Sequence, residues 1–241
     1  MEPDSLPRTG RAENICHDSR RPMLWLADPR CIRPAVAGFV LLALASAMLF
    51  SGGNNLDPQA PHFDPVRNFL CDLFMLRNTY NGRTNVLGGV LGIAGGLLLV
   101  AGGLLPTWVA VAPRLRPASA LSRVIVALGV LAICAVAVVP LEQLIALPLP
   151  HHLLLLAAVV PAWFATSGVA LLGLRHPDIG RTAQVLGVVV LLAVPAIFAS
   201  YLPHALAGEQ TPPAVALGQK LVLVAVLAWL WALGGSPALR T

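Results

Sequence analysis

The sequence predicts an all-α polytopic membrane bundle of six transmembrane helices. Of its 241 residues, 57% are hydrophobic and only 11% are charged, whereas a typical soluble domain has about 45–50% apolar and about 25% charged residues. Six apolar segments approach or exceed the length of about 20 residues that a helix needs to cross the hydrocarbon core. This composition excludes a soluble globular enzyme. The formal charge of +5 comes from scattered arginines that form no basic face, so we expect no nucleic-acid partner.

One membrane domain is predicted over residues 34–235, between a polar leader (1–33) and a short tail (236–241). The leader is predicted to be disordered, because it is polar and the charges of its acidic residues and arginines roughly cancel. The six predicted spans are roughly 35–51, 86–111, 121–145, 150–174, 182–203 and 213–234.

The arginines indicate the orientation of the spans. Twelve lie in the leader, in the tail, and in the connections between the second and third spans and between the fourth and fifth spans. Three lie in the long first loop, at Arg67, Arg77 and Arg83. Because positive residues accumulate in cytoplasmic loops, both termini are predicted to be cytoplasmic, with the protein in the cytoplasmic (inner) membrane. The first loop, 52–85, is then external.

This first loop contains a predicted amphipathic segment from Phe63 to Leu76. Its apolar residues have helical spacing, and its polar residues fall on the opposite face. The apolar set is Val66, Phe69, Leu70, Leu73 and Phe74, and the polar set is Asp64, Asn68, Cys71 and Asp72. We expect a short helix that lies on the outer membrane interface or caps the bundle.

The second span is rich in glycine. Gly88, Gly92 and Gly96 are spaced by four residues and therefore form one ridge that allows a neighbouring helix to approach closely. Packing within the chain is the favoured interpretation. Association of two copies through the same face, giving a homo-oligomer, is the alternative.

Few polar residues are predicted at membrane depth, and they converge on the external half. Because an ionisable residue inside a span costs roughly 2.5–3.5 kcal/mol on insertion scales, each is a candidate site residue. The candidates for catalysis are Glu142, His151, His152, His204 and Asp72, and those for substrate binding are Lys220, Gln219, Arg67 and Asn68. Glu142 and Lys220 are predicted at similar depth, so an ion pair is expected, either as part of a site or as a purely structural contact.

Two stretches of the first loop carry a resemblance. They are Arg67-Asn68-Phe69-Leu70-Cys71-Asp72-Leu73 and Asn81-Gly82-Arg83-Thr84-Asn85, which leads into the glycine-rich span. They resemble the external loop of bacterial six-span proteins of the domain of unknown function 998 family, which is distantly similar to the FRAG/DRAM/SFK group. Cys71-Asp72-Leu73 departs from the Ser-Asp-Leu type of motif found there. The resemblance implies a six-helix fold and, through the wider group, an association with lipid-anchor remodelling or membrane lipid organisation.

The leading functional hypothesis is a protein that binds or processes a lipid or small amphiphile in a pocket open to the outer leaflet. As an enzyme it would be a membrane-embedded hydrolase or transferase, with a histidine as general base, Asp72 or Glu142 orienting that histidine, and Lys220 on an anionic head group. The alternatives are a non-enzymatic structural or regulatory protein and a small proton-coupled carrier. The sequence contains no hydrolase motif and no metal-binding cysteine spacing, so no cofactor and no metal are predicted.

Overall fold

Helices account for most of the structure. The computed structural model describes residues 28–54, 56–117, 119–145, 151–207 and 210–239, with 136–145, 151–155 and 205 described as backbone only. Within these ranges the chain forms no β-strand. The α-helices are α1 (Ile32–Met48), α2 (Val86–Leu99), α3 (Ala112–Leu115), α4 (Ala120–Ile145), α5 (His151–Leu174), α6 (Arg181–Ala207) and α7 (Pro213–Leu233).

Five described helical segments are long and apolar enough to cross a membrane. They are Pro29–Met48, Val86–Leu115, Leu156–Leu174, Arg181–His204 and Pro213–Leu233. The remaining predicted span, 121–145, coincides with α4, a helix of 26 residues whose side chains are described as far as residue 135. The predicted all-helical membrane architecture is therefore confirmed at the level of five spanning helices.

The first span begins and ends earlier than the predicted range of 35–51. Asp28 accepts a hydrogen bond from the backbone N–H of Arg30, which starts a short 3₁₀ turn over Pro29–Cys31 that leads directly into α1. The helix ends at Met48 because the chain then turns sharply. Gly52 and Gly53 both have positive φ angles, 80° and 85°, which residues with a Cβ rarely adopt.

The second span is one long helical segment with an altered hydrogen-bond pattern in its second half. π-helical turns occupy Val100–Leu104 and Thr107–Val111, on either side of Pro106. Proline has no N–H to donate, and wide turns of this kind occur where the ordinary helical ladder is interrupted. The segment nevertheless continues to Leu115.

The buried core lies at one end of the bundle. In sequence order α1 packs on α2, α4 on α5, α5 on α6, and α6 on α7, and α1 also contacts α7. The largest fully buried side chains include Trp108, Trp229, Ile32, Ile125 and Leu230. They lie near the end where α1, α4 and α6 begin, which we call the packed end. The opposite end carries the first loop, and we call it the loop end.

Candidate functional site

The first loop is tied together by asparagine side chains. Asn68 Nδ2 donates to Gly53 O over 2.8 Å, and Asn81 Nδ2 donates to Gly52 O over 3.0 Å. Asn78 Nδ2 also donates to Gly52 O. Asn68 and Asn78 are completely buried. The loop therefore folds back on itself, with amide groups taking the place of regular secondary structure in satisfying its carbonyls.

The predicted helix over 63–76 is wrong in its extent. Only Leu70–Phe74 is helical, as a 3₁₀ turn. Two side chains of the polar set, Asn68 and Asp72, are completely buried, whereas Val66 of the apolar set is 45% exposed. The polar side chains are buried because the loop itself supplies their hydrogen-bond partners, Gly53, Phe69 and Tyr80, which helical spacing does not reveal.

Asp72 is the centre of this buried polar cluster. Its Oδ2 accepts hydrogen bonds from Asn68 Nδ2 and from the backbone N–H of Phe69, each over 2.9 Å. Its Oδ1 accepts from the hydroxyl of Tyr80 over 3.3 Å. A carboxylate offers about four acceptor positions, so three donors leave about one position open.

Burial dominates the electrostatics of the cluster. It raises the pKa of Asp72, although the hydrogen bonds from Asn68, Phe69 and Tyr80 and the charge of Lys220 act in the opposite direction. Burial and the neighbouring Asp72 also raise the pKa values of the Cys71 thiol and the Tyr80 hydroxyl. Cys71 is therefore held as a thiol, which is a weak nucleophile.

The loop packs against the glycines of α2. A Cβ atom on Gly92 would lie 2.2 Å from Leu73 O, and one on Gly89 would lie 2.5 Å from Met75 O. On Gly96 the nearest atom would be a ring carbon of Phe74 at 3.4 Å. The glycine ridge thus packs within the chain, against the backbone of the loop. Association of copies through Gly88, Gly92 and Gly96 stays a prediction, and it would have to leave room for this loop.

Helix α7 holds the loop from the other side. Gln219 Oε1 accepts a hydrogen bond from the backbone N–H of Leu70 over 2.8 Å. Lys220 Nζ donates to the carbonyl of Asn68 and to Ala216 O over 3.1 Å, and it lies 5.7 Å from the centre of the Phe63 ring. The amine is therefore directed at the loop backbone.

A cavity of about 600 Å³ lies under the loop, between α5, α6 and α7. Its walls along the helices are apolar and include Leu156 and Val159 of α5, Ile197 of α6, and Val222 and Val226 of α7. Its polar lining is gathered at the loop end and consists of Cys71, Asp72, Thr79, Tyr80, Tyr201, Thr211 and Gln219. The cavity thus has one polar end and a long apolar body.

Two of the predicted site residues, Asp72 and Gln219, line this cavity. Asn68 and Lys220 lie behind the lining, in contact with each other. Arg67 is exposed and its Nε lies 3.6 Å from Asp64 Oδ2.

The predicted histidine and glutamate residues are not brought to the cavity by any described contact. His204 is half-buried on α6 and is absent from the cavity lining. The side chains of Glu142, His151 and His152 lie outside the described residues, so the expected Glu142–Lys220 pair and a role for this histidine pair stay predictions. Among the residues described with side chains, no group of three His, Cys, Asp or Glu residues is arranged to hold a metal ion.

The sequence reasoning missed the hydroxyl groups. The chain has two tyrosines, Tyr80 and Tyr201, and both line the cavity, together with Thr79 and Thr211. Tyr201 also packs edge-on against Phe69, with the ring centres 6.0 Å apart. The scarcity of tyrosine in so apolar a chain was an available signal, because a buried tyrosine hydroxyl usually has a polar neighbour.

Comparison with known protein families, with characterised proteins and with solved structures finds no match to this chain. The resemblance to the domain of unknown function 998 family accordingly stays a prediction.

Proposed function

We propose that this membrane protein binds a lipid or small amphiphile in the cavity under its first loop. The observation that carries the proposal is the division of that cavity into an apolar body between α5, α6 and α7 and a polar end at the loop. A ligand with a hydrocarbon chain and a polar head has the same division. The volume of about 600 Å³ lies within the range of about 300–1,000 Å³ that small-molecule sites occupy.

The cavity belongs to the outer leaflet if the chain has six spans with both termini in the cytoplasm. The arginine distribution supports this orientation, with twelve arginines on one side and three on the other. The helical backbone of α4 over Ala120–Ile145 supports the sixth span. Lipids of the outer leaflet of the inner membrane would then reach the cavity from the side of the loop.

Binding is better supported than catalysis. In the enzymatic version Asp72 orients a histidine, but the described partners of its carboxylate are Asn68, Phe69 and Tyr80. Cys71, the thiol in the cavity lining, is kept protonated by burial, which raises its pKa. A purely structural or regulatory role requires no ligand at all, and a carrier would need a polar path to both sides. Ligand binding separates these alternatives.

The experiment fills the cavity with a tryptophan side chain and compares this variant with one that carries tryptophan on the outside of the same helix. Val222 lines the cavity, and Val224, two residues later on α7, is 61% exposed on the outside of the bundle. Purified protein in lipid nanodiscs is photolabelled with single-chain C16 amphiphiles that carry a diazirine in the chain, and labelled peptides are identified by mass spectrometry.

We expect saturable labelling of α6 and α7 peptides in the wild type and in Val224→Trp, and loss of this labelling in Val222→Trp. Labelling that is unsaturable, or equal in the two tryptophan variants, contradicts the proposal. Equal thermal stability of the two variants serves as the control for folding.

A further inference from the structure

The polar end of the cavity also indicates what kind of head group it accepts, an inference that rests on the proposed function. We propose that the cavity selects an uncharged, hydroxyl-bearing head group, such as a glycerol, over anionic and cationic heads. The inference follows from three features: the groups that line the polar end, the direction of Lys220, and the acceptor position left on Asp72.

The lining offers hydrogen-bonding groups with little charge. Four residues with hydroxyl groups line the cavity, Thr79, Tyr80, Tyr201 and Thr211. The hydroxyl of Tyr80 donates to Asp72 Oδ1 and that of Thr79 to Met75 Sδ, and each can still accept a hydrogen bond from a ligand. Gln219 has its Oε1 on the backbone of Leu70, which leaves its amide NH₂ as a donor for a ligand. Hydroxyls both donate and accept, so a head group that does the same can be satisfied in several orientations.

Among the described residues of this lining, none carries a positive charge that could pair with an anionic head group. Lys220, the nearest lysine, is turned to the carbonyls of Asn68 and Ala216 and to the ring of Phe63, and it is not part of the cavity wall. Within the part of the lining that the structure describes, the one carboxyl group is that of Asp72. A phosphate or carboxylate head placed there would lie beside an acid and would lose its hydration without a compensating positive charge.

A cationic head is not favoured either. The ammonium group of Lys220 lies behind the lining on the carbonyl of Asn68, the residue whose side chain binds Asp72, so a cationic head group would bring a second positive charge close to it. Asp72 already accepts from Asn68, Phe69 and Tyr80, so about one acceptor position remains. One hydroxyl donor can occupy that position without bringing a further charge into a buried site.

The test uses three diazirine-bearing C16 amphiphiles that differ only in the head group: a monoacylglycerol ether, an alkyl phosphate and an alkyl trimethylammonium. We expect the glycerol compound to label the cavity peptides at a concentration at least tenfold lower than either of the other two compounds requires. Stronger labelling by the phosphate or the trimethylammonium compound overturns this inference and leaves the proposed function intact. Absence of saturable labelling by all three overturns both.

Removal of single hydroxyls tests the same inference without disturbing Asp72. Tyr201→Phe keeps the ring contact with Phe69, and Thr211→Val keeps the shape of a residue that is 8% exposed. Each variant should raise the concentration of the glycerol compound needed for labelling by about three- to tenfold, which is the effect of one lost hydrogen bond. The concentration needed for the trimethylammonium compound should stay within twofold of the wild-type value. An equal loss for both compounds, or no loss for either, contradicts head-group selection by these hydroxyls.

Discussion

The two ends of the bundle differ in what fills them. At the packed end large side chains such as Trp108, Trp229 and Leu230 are almost completely buried, and Trp108 Nε1 donates to Thr166 Oγ1 over 3.2 Å. At the loop end the interior contains asparagines, a carboxylate and a cavity of about 600 Å³. Close packing of these large side chains stabilises the fold. The comparison shows that one end acts as the scaffold and the other holds the candidate site.

The largest effect is expected at the packed end. Trp229→Ala removes a side chain that is 2% exposed, and deletion of a buried tryptophan side chain costs about 3–5 kcal/mol. Trp231→Ala is the matched control on the same helix, because Trp231 is 46% exposed and removal of its ring breaks a cation–π contact with Arg33 of about 0.5–1 kcal/mol. Thermal unfolding in detergent measures both. Equal shifts in the two variants would contradict the assignment of Trp229 to the core.

The next largest loss of stability is expected where the loop packs against α2. Gly92→Ala places a Cβ against the backbone carbonyl of Leu73, which cannot move away as a flexible side chain can, so we expect a loss of about 1–3 kcal/mol. Gly96→Ala meets only the Phe74 ring at ordinary contact distance and should be nearly neutral. The measurement is the unfolding midpoint of each variant, which should fall for Gly92→Ala and stay close to wild type for Gly96→Ala. A neutral Gly92→Ala would show that the loop is not seated on this face.

A smaller effect is expected for the lysine at the loop end. Lys220→Met removes the hydrogen bonds to Asn68 O and Ala216 O, for a loss of about 1 kcal/mol. Because these contacts and the Phe63 ring already occupy the ammonium group, we expect little coupling with Glu142. The cycle of Lys220→Met, Glu142→Gln and the double variant should therefore be additive within about 0.5 kcal/mol. A clearly non-additive double variant would instead support the predicted ion pair.

The smallest effect is a pH dependence at the loop end. Burial raises the pKa of Asp72 above its ordinary value of 3.8, so the folded state holds this proton more tightly than the unfolded state. The stabilisation from the protonated form is present below pH 3.8 and is lost as the pH rises through the folded pKa.

The unfolding midpoint of the wild type should accordingly fall relative to that of Asp72→Asn as the pH is raised above about 4. The substitution also changes the hydrogen bonds of the cluster, so only the slope of the difference against pH is informative. A difference that rises with pH would mean that the hydrogen bonds from Asn68, Phe69 and Tyr80 outweigh burial.

The sequence predicted the helices well and the loop poorly. Helix α7 over Pro213–Leu233 agrees closely with the predicted span 213–234, whereas the predicted loop helix over 63–76 is reduced to Leu70–Phe74. Asp72 and Gln219 were chosen as polar residues at membrane depth, and both line the cavity. Tyr80 and Tyr201 were missed, because a search for ionisable groups and motifs passes over hydroxyls.

The sequence by itself determined which segments are helical. Lipid provides no hydrogen-bond partners, so a long apolar segment must satisfy its backbone locally, within one helix, and its position can be read from composition. Only the tertiary structure decided where the polar side chains point. The bond from Leu70 N to Gln219 Oε1 joins residues 149 positions apart, and the carbonyl that binds Lys220 belongs to a loop 152 positions away. Such contacts depend on how the helices assemble, because local periodicity does not specify which distant group will lie opposite a given side chain.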